Sequence, residues 1–69
     1  MSIRKKIGKR IAEKRKDLEF TQEKVSDITG LTVNAISLIE NGNVYVKTDS
    51  LYKICKALEF KLVELYEGY

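Results

Sequence analysis

The chain has no histidine, no tryptophan and no proline, and its 69 residues include one cysteine. Each absence removes a class of chemistry. Without histidine, and with a lone thiol, the chain offers no credible metal-ligand cluster and no internal disulfide. No activated nucleophile or acid–base pair is visible, so no enzymatic reading survives and no cofactor is expected. No stretch approaches the roughly 18 consecutive apolar residues of a membrane span, and the start lacks the apolar core of a signal peptide. A cytoplasmic protein with no membrane attachment is the expectation.

What is present suits a small helical domain. Apolar residues make up 43% of the chain and glycine occurs four times, with no low-complexity run or internal repeat. A chain of this length is expected to form one domain, residues 1–69, near the size at which a single core becomes marginal and a second copy helps. The formal charge of +3 hides an asymmetry, because residues 1–17 carry +6 and residues 18–69 carry −3. The basic front is the expected polyanion-facing part. At about 100° per residue its side chains fan out around a helix, so they cannot all meet one phosphate backbone.

The most informative segment runs from Thr21 to Gly42. It holds two short helical patterns hinged at Gly30, each opened by a threonine able to cap free amides, with Val25 and Ile28 in the first and Ile36 and Ile39 in the second. The small Ser26 and the permissive Gly30 allow two backbones to approach at a sharp corner. Before this segment, a helix is expected from Ile3 to Asp17, capped by Ser2, with Ile3, Ile7, Ile11 and Leu18 inward. Gly8 inside it costs about 1 kcal/mol against alanine, which close packing on a neighbouring helix would explain. After it come a polar link and an apolar stretch, Val44-Tyr45-Val46. A fourth helix starting near Thr48 or Asp49 turns Leu51, Ile54, Cys55 and Leu58 inward, Cys55 as a small buried thiol. A fifth element spans Lys61 to Glu67, read as helix, with a strand that pairs between subunits as the alternative.

The order and spacing of these pieces resemble the helix-turn-helix of the phage repressor and Cro family, also called the Xre family. The resemblance covers nearly the whole chain. It rests on Ile7-Gly8-Lys9-Arg10-Ile11 and Arg15, on Thr21-Gln22, on Ile36-Ser37 and Ile39-Glu40-Asn41-Gly42, and on Leu51, Ile54 and Lys56-Ala57-Leu58. It departs where relatives have glycine after helices one and four, since Glu19 and Glu59 stand there.

The resemblance implies an all-α, compact five-helix repressor-like domain in which helices two and three form the helix-turn-helix. It implies base reading by Thr32, Val33, Asn34, Ser37 and Leu38. This set carries no charge: Asn34 suits adenine, and Val33, Leu38 and the Thr32 methyl suit thymine methyls, unless Val33 and Leu38 are merely core. Phosphate contacts fall to Gln22, Asn41 and Asn43, with Lys14 and Lys47 adding charge, although Asn41-Gly42 also reads as a simple helix stop. Arg15 and Glu40 each stand at the edge of an apolar stripe, which an internal ion pair would explain, and the resemblance implies the same pair.

Sequence-specific binding of double-stranded DNA is therefore expected, in a transcriptional regulator of the repressor kind. It would act as a homodimer on a two-fold operator, with Tyr45, Phe60, Leu62, Val63, Tyr66 and Tyr69 at the dimer interface. Three alternatives stand beside it: an antitoxin-like component with a toxin as partner, a protein-interaction module that has lost DNA binding, and a membrane-surface role for the basic first helix.

Overall fold

The computed structural model describes residues 2–61, 63 and 64. Among them lie four α-helices: α1 Ile3–Asp17, α2 Gln22–Thr29, α3 Val33–Glu40 and α4 Thr48–Ala57. No strand occurs among the described residues. The expected fifth helix is not one of the four. Of its span only Lys61, Val63 and Glu64 are described, where the Glu64 amide donates to the Lys61 carbonyl at 3.0 Å. Val63 and Glu64 have helical backbone, and the rest of the span lies outside the described residues.

Local chemistry explains the helix starts. Ser2, Thr21 and Thr32 all have extended backbone, and their hydroxyls accept from the amides of Lys5, Lys24 and Ala35 respectively. Each satisfies one of the amides that a helix leaves free at its first turn. The α4 start lacks this device, because its cap is Lys47 with no side-chain bond.

The ends of α1, α3 and α4 share one geometry. After α1, the Phe20 amide donates to the Arg15 carbonyl and the Glu19 amide to that of Lys16. After α3, the Asn43 amide reaches Leu38 and the Gly42 amide reaches Ile39. After α4, the Phe60 amide reaches Cys55. These are left-handed terminations, and they require positive φ at the residue after the cap. Gly42 supplies it at 71°, whereas Glu19 and Glu59 are forced to 60° and 59°. The chain therefore turns at the two glutamates as it would at glycine.

α3 packs on both α1 and α2, and α2 on α4. Ile7, Ile11, Val25, Ile36, Ile39, Leu51, Ile54, Cys55 and Leu58 form the buried core, with Leu18, Phe20, Leu31, Val46 and Phe60 against its edge. Two expected inward residues are outside it. Ile28 is 48% exposed, because Val25 and Thr29, one turn apart, take the inward face of the short α2. Ile3 is exposed at the first position of α1 and lines an open cleft of about 460 Å³ with Val44, Tyr45 and Val46. Phe60, assigned above to a dimer surface, is half-buried and packs against the core on one side.

Candidate nucleic-acid interface

The corner between α2 and α3 is built from hydroxyls as much as from glycine. Gly30 has φ 80° and its amide donates to Ser26. The Ser26 hydroxyl donates to the Leu31 carbonyl, and the buried Thr29 hydroxyl donates to the Val25 carbonyl at 2.7 Å while accepting from the Leu31 amide at 3.2 Å. These hydrogen bonds are short-range and internal, so the corner holds its own bend. Thr29 was not singled out in the sequence. Its position four residues after Val25 and one before Gly30 was the available signal.

The corner sets α3 with Ile36 and Ile39 inward, at 1% and 7% exposure. At about 100° per residue, Val33, Ser37, Asn34 and Leu38 then occupy one arc of roughly 140° on the opposite side. Thr32 and Asn34 are exposed, Val33, Ser37 and Leu38 half-buried. Val33 and Leu38 belong neither to the buried core nor to its packed edge. The Thr32 hydroxyl is committed to capping, which leaves its methyl as the free part.

Two glycines and one ion pair hold α3 against α1. A β-carbon on Gly8 would collide with the Ile39 carbonyl oxygen and lie 2.7 Å from that of Glu40. One on Gly42 would lie 2.7 Å from the Lys5 α-carbon. The helices thus touch backbone to backbone at two points. Alongside, Arg15 Nε donates to Glu40 Oε2 at 2.7 Å and Arg15 Nη2 to Glu40 Oε1 at 3.1 Å, a two-pronged pair. Arg15 Nη1 also donates to the Phe20 carbonyl at 2.8 Å. The hydrogen bond to Glu40 raises the Arg15 pKa further above its already high value, against the opposing effect of burial.

Gln22 belongs to the same junction, since its Nε2 donates to Glu40 Oε1 at 3.1 Å. The start of α2 is thereby tied to the end of α3, one residue before Asn41. Asn41 and Asn43 are exposed on either side of Gly42, with Asn41 Nδ2 3.5 Å from the Ser37 hydroxyl. Lys47 is exposed at the start of α4. Lys14 is half-buried, and helical geometry sets it about 120° around α1 from Gly8. Tyr45 is 80% exposed and carries the Arg4 guanidinium 4.1 Å above its ring, and Val63 is also exposed. Leu62, Tyr66 and Tyr69 lie outside the described residues.

The sequence pattern of the helix-turn-helix domain family matches residues 8–69. The chain belongs to that family, in its phage repressor and Cro branch. Its fold is similar to that of the clp gene regulator ClgR from C. glutamicum, with a TM-score of 0.89 and 20% identity over 96% of this chain and 86% of that one. It is also similar to the restriction-modification controller protein C.AhdI from Aeromonas hydrophila, with a TM-score of 0.85 and 28% identity over 88% of this chain and 92% of the other. Among curated proteins, none matches. As a member of this family the protein is a DNA-binding transcription regulator and not an enzyme. Among the described residues no helix is long and apolar enough to cross a membrane, and no group of residues could hold a metal ion.

Proposed function

We propose that the protein reads a short, A·T-leaning duplex sequence with α3 and acts as a homodimeric repressor on a two-fold operator. The observation that carries this reading is the outward arc of α3, whose uncharged side chains stand opposite Ile36 and Ile39 and outside the core. Asn34 can offer both halves of its amide to one adenine, and Val33, Leu38 and the Thr32 methyl offer apolar contact to thymine methyls. No arginine stands on this arc to take the two acceptors of guanine. Gln22, Asn41, Asn43 and Lys47, at the two ends of the helix-turn-helix, hold the backbone phosphates and set the register. A two-fold dimer places its two reading helices about one helical turn of DNA apart. Tyr45 and Val63 are the described apolar residues most available to such a contact.

Selection of bound sequences from a random duplex pool tests the reading. A short A·T-rich motif repeated with inverted symmetry is the expected product. Recovery of no enriched motif would instead favour a module that binds protein.

A further inference from the structure

The basic residues of α1 divide once the helix is seen in place. Ile7 and Ile11 are buried, and Gly8 and Arg15 face α3. Lys5, Lys9 and Lys16 are exposed. At about 100° per residue these three fall within an arc of roughly 40°, beginning about 60° beyond Gly8. Glu13 borders the arc about 40° past Lys9, and the half-buried Ala12 lies about 20° before Lys5, between the arc and Gly8. The fanning-out that argued against a shared contact in the whole set therefore does not apply to these three.

The ends of the row are fixed by contacts. At one end the Lys5 backbone abuts Gly42, between Asn41 and Asn43. At the other, the Lys16 carbonyl accepts from Glu19 in the turn that leads through Phe20 to Thr21 and Gln22. The row thus runs from the end of α3 to the start of α2, the two places to which the reading above assigns phosphate contacts. At about 1.5 Å per residue it is roughly 16 Å long. Charges on one strand of duplex DNA recur every ~3.4 Å along the axis, so the row is long enough to follow several of them.

We propose that Lys5, Lys9 and Lys16 form a phosphate-binding track that grips duplex DNA beside the segment read by α3. The proposal rests on the reading of α3 as the helix that enters the groove. The track contributes affinity and salt dependence but no sequence preference, because it meets only backbone charge.

The test compares two variants with equal loss of charge. One replaces the track, Lys5→Gln, Lys9→Gln and Lys16→Gln together. The other replaces three exposed lysines of α4 and its exit, Lys53→Gln, Lys56→Gln and Lys61→Gln. Both remove only exposed side chains, and circular dichroism confirms that each is folded. Duplex affinity is measured against salt, with the selected operator and with unrelated DNA. Each phosphate contact contributes about 0.9 to the slope of log K against log salt, so the track variant should lose about 2 to 3 per bound protomer, twice that for a dimer, on both DNAs and keep the wild-type preference. The α4 variant should keep the wild-type slope. Equal slopes in both variants, or a track variant that loses binding to phosphatidylserine vesicles while its DNA slope stays unchanged, would overturn the track. A wild type that prefers no sequence, yet loses slope in the track variant alone, would sink the reading of α3 and leave the track standing.

Discussion

Arg15 and Glu40, 25 residues apart, meet through two hydrogen bonds of 2.7 and 3.1 Å and clamp α1 to the end of α3. Their side chains keep 12% and 7% of their exposure, so neither charge can be rehydrated if its partner is removed. Arg15→Ala and Glu40→Ala should each destabilise the fold by about 3 to 5 kcal/mol, because each strands a desolvated charge. The double variant should cost less than the sum of the two. Denaturant melts of the four proteins measure the coupling, and strict additivity would mean that the pair carries no net interaction. The raised Arg15 pKa adds no pH dependence near neutrality. Its contribution is present throughout and fades only when strong alkali removes the guanidinium proton.

Glu19 and Glu59, at φ 60° and 59°, hold conformations that cost a side-chain-bearing residue on the order of 1 kcal/mol. Their carboxylates also stand at helix C-termini, where negative charge is unfavourable. Glu19→Gly and Glu59→Gly should each raise stability by about 0.5 to 1 kcal/mol after the extra chain entropy of glycine is counted. A lower melting midpoint in either would show that its side chain makes a compensating contact.

Those glutamates mark what was legible in the sequence. Apolar spacing placed the end of α1 near Asp17, whereas the corner after α4 at Glu59 was implied by the resemblance alone. The three hydroxyl caps were equally plain, since a Ser or Thr before a periodic run has few other uses. Ile28 was misplaced because a helix of about two turns has too few residues for its inward direction to be settled by pattern alone. The basic track was hidden for a different reason. Its three lysines are separated from their neighbours only by where Gly8 and Arg15 are pinned, and that is a tertiary contact.

Cys55 is buried, and desolvation pushes its thiol pKa above the ordinary 9.0, with a smaller push from Glu64. Well below pH 9 the thiol is protonated in both states and contributes no slope. Above it the unfolded chain releases the proton while the folded chain keeps it, so stability falls as pH rises. Wild type should therefore lose stability as pH rises past about 9 faster than Cys55→Ala, whose constant cavity cost cancels in the comparison. Parallel pH profiles would show that the thiol ionises as readily folded as unfolded.

A homodimer should form at micromolar concentration through the exposed apolar residues, with Val63→Glu or Tyr45→Glu weakening self-association and operator binding together. Analytical sedimentation checks the first effect and operator titration the second. A wild type that stays monomeric at high concentration would remove this surface from the account.

The central claim is that α3 reads bases while its flanks hold phosphates, and titration of variants against operators altered one base pair at a time tests it most directly. Asn34→Ala should flatten the preference at one adenine-bearing position by about 1 to 3 kcal/mol and leave the other positions as they were. Asn43→Ala should weaken all sites nearly alike, and is a cleaner comparison than Gln22, whose amide is bonded to Glu40. If Asn34→Ala lowered affinity uniformly and left the preference profile unchanged, α3 would not be the reading helix.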